Sequence, residues 1–359
     1  MTADTPTIPA SVQHPKPSAS QSAGVLDVSS PPITLWSAFG PGAALPSVSA
    51  EDATSYARKL AKTRYENFSV VTRLVPPALR DDFAAIYAWC RWSDDIADES
   101  PPIDDGMTRL DRLEWWRGRL HELFAGDEVH HPVYVALAPV VRKHSLTVEP
   151  FDLLLDAFAA DQTVTRYATW DDVVGYCHGS ADPVGRLVLA LGGAVPTSGD
   201  LTTEQAELVR MSDAICTALQ LANHWQDVRR DLDERDRVYL PSGETGFDAE
   251  ALRDMASRPN EPAARVPYIK AVRPLVQRTQ RLLDEGRDLP NRLSAAGFGA
   301  IAAPVWLFSE GCRAILEEIE SNGCATLWRR PTVSKRRKLW LVAQATLRAR
   351  RASKAGAAS

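Results

Sequence analysis

Asp94-Asp95-Ile96-Ala97-Asp98 sets carboxylates one helical turn apart, and a second polar file, Gln220, Asn223, Asp227 and Asp231, runs at steps of three, four and four. At 100° per residue, Tyr87, Cys90, Arg91, Asp94 and Asp98 fall within roughly a 100° arc of one helix. The apolar stripe Phe83, Tyr87, Cys90 is the face expected to point inward, so the carboxylates extend it. Like charges at i,i+4 oppose each other by about 0.2–0.5 kcal/mol even on an exposed helix. Facing an interior they cost far more unless a cation neutralises them. A solvated acidic helix end would show the same residues, so the first motif alone leaves both readings open. The second file tips the balance, because its four side chains share about 80° of arc and the stripe behind them continues through Cys216 and Ser212. Two amides and two carboxylates in file make a poor apolar core and a good cradle for hard cations. Mg²⁺ takes oxygen ligands, keeps several waters, and is commonly shared between one or two carboxylates and substrate phosphates. Two such helices facing each other would hold two or three Mg²⁺ ions over a diphosphate, with Gln220 and Asn223 on the diphosphate side.

Arginines should then touch the phosphate oxygens. Arg91 lies one turn before Asp94, and Arg237 follows the second file in Arg237-Val-Tyr239-Leu-Pro241. Each would serve equally well as a salt-bridge partner for its acidic neighbours. Other metal chemistries fail on spacing: of the seven His only His131 has Glu three residues before it, at Glu128, and a di-iron bundle needs two such pairs. There is no HExxH and no nucleophile elbow. His224 sits about 100° around the helix from Asn223 and reads as a packing residue.

The elements that must position these residues are helices. Helical periods fall at about 49–64, 77–97, 108–125, 132–144, 150–160, 171–192, 203–232, 265–286, 291–320 and 334–350, separated by Pro- and Gly-marked loops. Two-residue alternation is almost absent, and no linker divides 49–345, which predicts one large all-α bundle. Residues 1–48, with eight Pro and three charges, read as a disordered leader. The helical domain is expected over 49–333, and a basic helix and tail over 334–359. The net charge of −5 hides an asymmetry: residues 321–359 carry ten Lys or Arg and no Asp or Glu, leaving −15 on the other 320. That tail suits a helix resting on an anionic membrane surface; an ordinary basic helix packed on the acidic body would look the same. The acidic total argues against nucleic acid as a partner. Five Cys with no CxxC pair read as reduced thiols of a cytoplasmic protein.

Three segments together resemble the squalene/phytoene synthases, all-α enzymes of the class I isoprenoid synthase fold. They are Tyr87-Ala-Trp-Cys-Arg91-Trp-Ser-Asp94-Asp95-Ile-Ala-Asp98-Glu99, Tyr176-Cys-His-Gly-Ser-Ala-Asp-Pro-Val-Gly185-Arg186, and Leu219-Gln220-Leu-Ala-Asn223-His-Trp-Gln226-Asp227-Val-Arg-Arg-Asp231. The resemblance covers about residues 50–345. It implies that Asp94, Asp98, Asp227 and Asp231 bind Mg²⁺, that Arg91 and Arg237 contact phosphate, and that Tyr176 stands beside the carbocation. Where the family has a Ser-basic-Ser-Phe element, this chain has Tyr65-Glu66-Asn67-Phe68. That departure, with the Ser180–Leu189 segment, looks like the bacterial hydroxysqualene synthase branch of the hopanoid pathway. The branch takes presqualene diphosphate from a sister synthase and ends the cation sequence with water, so NADPH is not expected.

Within the family, the rival reading is condensation of two farnesyl diphosphates to presqualene diphosphate or squalene. Outside it, the rival is a catalytically inactive helical scaffold at membranes. A class I terpene cyclase fits poorly, because its second motif combines Asn/Asp, Ser/Thr and Glu. A trans-prenyltransferase fits poorly too, because Val228 follows Asp227 where a second Asp is needed. The enzyme reading makes a direct prediction. Asp94→Asn and Asp227→Asn should each abolish Mg²⁺-dependent turnover while circular dichroism reports unchanged helicity; near-normal activity in both would remove the basis for the assignment.

Overall fold

A Pro at the first helical position and an aromatic-rich inner face start the helix that carries the first aspartate motif. The computed structural model describes residues 35–43, 47–63, 74–98 and 106–356. Its elements are α1 (Trp36–Phe39), α2 (Ala50–Thr63), α3 (Pro77–Asp98), α4 (Arg109–Ala125), α5 (Pro132–His144), α6 (Glu149–Ala160), α7 (Trp170–Ser180) and α8 (Asp182–Leu191). They continue with α9 (Thr203–Arg235), α10 (Ser242–Thr245), α11 (Ala249–Ser257), α12 (Pro262–Glu285), α13 (Leu289–Ala295), α14 (Gly299–Ser321) and α15 (Lys335–Gly356). Among the described residues there is no strand, only one isolated bridge between Arg166 and Val238. The all-α bundle anticipated from the periodicity is the observed fold.

Buried indole and phenol groups lock the inner face of α3. Trp92 Nε1 donates to Tyr56 Oη at 2.8 Å, and Trp116 Nε1 donates to Ser93 Oγ at 2.9 Å. Trp89 Nε1 donates to Tyr134 Oη, which in turn donates to the Trp116 carbonyl at 2.7 Å. Large aromatic side chains remove much apolar area from water, and their polar atoms are satisfied here without solvent. The helix therefore cannot rotate without breaking these bonds, and its last turn is held in register.

The second motif rides on α9, whose 33 residues span about 50 Å. A capping box at Thr202 and Gln205 starts it, and Asp236 in the left-handed region ends it. It packs on α7 and α8 on one side and on α12 and α14 on the other. Trp225 Nε1 donates to Thr279 Oγ1 at 2.8 Å, fixing its angle to α12.

Several expected boundaries move. The single helix expected over 171–192 is two, broken at Ala181, because Pro183 lacks a backbone N–H and Asp182 turns inward. The buried Asp182 carboxylate accepts from Thr217 Oγ1 at 2.8 Å and meets His178 Nδ1 at 2.6 Å. The helix expected over 291–320 is likewise split, at Gly297 with φ +91°. α11 is absent from the expected helices although it is amphipathic, with Ala249, Leu252 and Ala256 buried on one face. Within the leader expected over 1–48, Trp36 and Phe39 of α1 are buried in the core; residues 1–34 and 44–46 of it lie outside the described residues. So do Glu99 and the Tyr65-Glu66-Asn67-Phe68 element. All five cysteines are free thiols, as expected.

The C-terminal helix α15 has two faces. Leu341 and Ala345 are buried against α14, and Arg337 pairs with Glu317 at 2.7 Å. On the opposite face Leu339, Trp340 and Leu347 are 71%, 53% and 47% exposed. No helix among the described residues is long and apolar enough to cross a membrane.

α12 ends in a close approach to α9 at Gly286, where an added Cβ would lie 2.6 Å from the Met211 carbonyl oxygen and 2.4 Å from Ile215 Cγ1. A backbone oxygen cannot step aside as a side-chain tip can. Gly286→Ala should therefore destabilise the fold by about 1–3 kcal/mol through overpacking, read as an earlier denaturant midpoint with an unchanged slope.

Candidate active site

α3 and α9 face each other across a chamber of about 570 Å³, with α7 on its third side. All nine residues singled out from the sequence line it: Arg91, Asp94 and Asp98 from α3, Tyr176 from α7, Gln220, Asn223, Asp227 and Asp231 from α9, and Arg237 just beyond. The chamber is strongly polar. Without counter-charge, carboxylates from two helices held this close would repel, and each is answered by a guanidinium.

On α3, Arg91 donates to Asp94 at 2.9 Å and also pairs with Asp95. Asp95 is the fully buried member of the motif, set behind the chamber and not on its wall. The sequence reading passed over it; it anchors Arg91, while Asp94 and Asp98 face the chamber. Asp98 is met by Arg235 at 3.1 Å and Arg237 at 3.3 Å. On α9, Asp227 is met by Arg230 at 2.9 Å and gripped by both Nε and Nη2 of Arg330, the latter at 3.2 Å. Arg330 lies beyond α14, and Gln226 holds that segment down by donating to the Pro331 carbonyl at 2.7 Å. Asp231 has the weakest counter-charge, with Arg230 3.8 Å away, and burial pushes its carboxyl up to about 6. Arg91 and Arg237 line the chamber and hold acidic neighbours, so the salt-bridge reading of these two describes observed contacts.

Tyr176 donates its hydroxyl to Asp161 Oδ2 at 2.9 Å. Burial pushes Asp161 up to about 6 despite the nearby Arg237, and pushes the Tyr176 phenol well above its usual value. Asp161 carries no sequence signal, because it lies in the loop after α6. Backbone pairing brings it in: Val238 N donates to the Thr165 carbonyl and Ser242 N to the Tyr167 carbonyl, both at 2.9 Å. The same pairing stacks Tyr167 on Tyr239, with centroids 5.5 Å apart, and brings Tyr176 within 5.6 Å of Tyr239.

His224 needs correcting. It is no inert packing residue: it stacks on Tyr239, its centroid lies 5.9 Å from that of Tyr176, and it lines the chamber. Its Nε2 is buried with no hydrogen-bond partner among the described residues. Burial, with Arg237 nearby, lowers its pKa to about 3, so the ring is neutral. Tyr176, Tyr239 and a neutral imidazole, backed by the buried Tyr167, make an aromatic wall that can face a cation without repelling it.

Beyond Ser180 and Gln220 the chamber meets an apolar pocket of about 220 Å³, walled by Val184, Val188, Ile215, Leu219, Leu289, Val305 and Phe308. A charged chamber joined to an apolar one fits an amphiphile with a polyanionic head and a hydrocarbon body.

The donor set fits Mg²⁺. Among the described residues no three acidic, His or Cys side chains converge on one point, so the protein builds no closed metal cage. Single carboxylates on opposite walls suit an ion that retains waters and shares phosphate oxygens. The weakly countered Asp231 marks where positive charge is lacking.

The squalene/phytoene synthase sequence profile matches residues 61–337. A hydroxysqualene synthase from Rhodopseudomonas palustris is 36% identical over 230 residues, covering 63% of this chain and 70% of that protein. A phytoene synthase from Arthrospira platensis is 28% identical over 305 residues, covering 83% and 94%. The crystal structure of squalene synthase HpnC from Alicyclobacillus acidocaldarius superposes with a TM-score of 0.61 at 34% identity, covering 76% of this chain and 95% of that one. The fold is the all-helical class I isoprenoid synthase fold, and the chain belongs to the squalene/phytoene synthase family of prenyl diphosphate enzymes.

Proposed function

We propose that this protein ionises presqualene diphosphate and captures the rearranged cation with water, giving hydroxysqualene and diphosphate. The observation that carries the reading is the junction of an arginine- and carboxylate-lined chamber with an apolar pocket at Ser180 and Gln220. The relative named hydroxysqualene synthase supports this choice of product over a condensation of two farnesyl diphosphates.

In this mechanism Arg91 and Arg237, with the Gln220 and Asn223 amides, orient the diphosphate head over the four aspartates. Arg230, Arg235 and Arg330 line the same chamber and add positive charge. Mg²⁺ held by Asp94, Asp98, Asp227 and Asp231 would neutralise the charge that develops on the departing diphosphate. Arginines now engaged by these aspartates would turn to phosphate oxygens as the head group enters, exchanging one charge-assisted bond for another. The aromatic wall of Tyr176, Tyr239 and neutral His224 faces the cation, and Asp161 fixes the Tyr176 hydroxyl. The apolar pocket keeps bulk water from the hydrocarbon until rearrangement is complete. NADPH has no part in the proposed reaction.

The same reading gives α15 a partner. Its exposed Leu339, Trp340 and Leu347 lie opposite the face packed on α14, flanked by exposed Lys335, Arg336, Lys338, Arg350 and Arg351. Apolar anchors within a basic field match an anionic bilayer surface, where a hydrocarbon product would partition. In this proposal the protein is a peripheral enzyme of the cytoplasmic membrane, supplied with presqualene diphosphate by a sister synthase.

Two measurements check these proposals. Purified protein given presqualene diphosphate and Mg²⁺ without NADPH should yield hydroxysqualene by mass spectrometry; squalene appearing only with NADPH would overturn the reading. The full chain should sediment with vesicles containing phosphatidylglycerol but not with pure phosphatidylcholine, and high salt or a Leu339→Glu/Trp340→Glu double variant should release it. Equal binding of wild type and double variant would exclude this face.

A further inference from the structure

The break between α7 and α8 leaves one hydroxyl at the threshold between the two cavities. Ser180 is the last residue of α7, and its Oγ is buried with no hydrogen-bond partner among the described residues. Buried hydroxyls are nearly always satisfied, so an orphan at a cavity wall calls for a ligand. Gln220 lies opposite on α9, and both residues line the polar chamber as well as the apolar pocket.

Helix periodicity makes this placement specific. Ser180 stands one turn beyond Tyr176 on α7, and Gln220 one turn before His224 on α9. Tyr176 and His224 already meet, with centroids 5.9 Å apart. Ser180 and Gln220 are the next rung of the same facing pair, one step nearer the hydrocarbon pocket. Past them the wall is mainly aliphatic and aromatic, and its one further hydroxyl, Ser212, is hydrogen-bonded to the Cys216 thiol.

We propose that Ser180 and Gln220 together hold the single water molecule that captures the carbocation. This rests on the water-capture reading above. A water held in a protein needs two to four polar partners. The serine hydroxyl supplies a donor and two acceptor lone pairs, and the glutamine amide supplies an acceptor and two donors. With its protons given to Ser180 Oγ and Gln220 Oε1, while Gln220 Nε2 donates to the diphosphate, the water keeps a lone pair turned toward the apolar side. That lone pair forms the C–O bond to the cationic carbon. One O–H bond breaks, and its proton passes to the released diphosphate anion, leaving a neutral alcohol. With no water at this rung, the cation would instead lose a proton from carbon to the same anion and give a polyene.

The test uses full-length wild type, Ser180→Ala, Ser180→Val and Ser180→Thr with presqualene diphosphate, Mg²⁺ and H₂¹⁸O, without NADPH. Diphosphate release, the ratio of alcohol to hydrocarbon, and ¹⁸O in the alcohol are followed together. In Ser180→Ala and Ser180→Val, diphosphate release should persist while the alcohol-to-hydrocarbon ratio falls about tenfold or more, equivalent to about 1.4 kcal/mol between the two exits. Ser180→Thr, which keeps the hydroxyl, should restore the ratio. An unchanged ratio in both Ala and Val variants would overturn the proposal alone. Parallel loss of release and alcohol would also overturn it, by showing a merely structural role. A wild type that forms no ¹⁸O-alcohol would overturn the water-capture reading and this proposal with it.

Discussion

Carboxylates from two helices confront each other across one chamber, and their mutual repulsion shapes everything around them. Asp94 and Asp98 on one side face Asp227 and Asp231 on the other, with Asp161 between. Buried like charges survive only if positive charge is brought to them. In the described structure five arginines do this, from α3, α9, the segment after α9 and the segment after α14. Each arginine is held by contacts that leave it at the chamber wall, where a polyanion and divalent cations would compete for the same partners. The ion pairs are thus a ground state that substrate binding can exchange without uncovering a bare charge.

Holding such a site apart demands stiffness behind it. Repulsion would rotate or splay the aspartate helices if their backs were soft. α3 is fixed by the Trp89, Trp92 and Trp116 bonds to Tyr134, Tyr56 and Ser93. α9 is fixed by Trp225 to Thr279 and by the close approach of Gly286 to its backbone. Both helices therefore bury uncharged hydrogen-bonded aromatics behind a charged front. The break at Ala181 serves the opposite need, since it ends α7 at Ser180 and lets α8 leave in a new direction beside the apolar pocket.

The two aspartate motifs were legible because helical periodicity is local: residues three and four apart share a face whatever surrounds them. The same locality explains what escaped. Asp161 reaches Tyr176 only because loop residues 165–168 pair with 238–243. Arg330 reaches Asp227 across 103 residues, through the Gln226 bond to Pro331. Neither has a sequence spacing that means anything. His224 was misread for a related reason: its angle from Asn223 was right, but the cavity wraps far enough around α9 to include it. Asp95 was passed over because periodicity alone does not say how deep a helix face is buried.

By itself, the sequence determined the helical class, the two acidic faces, the family resemblance and the charge imbalance of the tail, since each depends on neighbours along the chain. Only the tertiary structure decided which arginine answers which aspartate, how α1 joins the core, where α7 ends, and which side of α15 stays exposed. Those outcomes depend on packing between segments far apart in sequence, where shape and burial select among pairings that local spacing leaves equivalent. The product-determining threshold belongs to that second class. Ser180 is unremarkable as a letter, and becomes chemically pointed only when α7 stops beneath it and α9 sets Gln220 opposite.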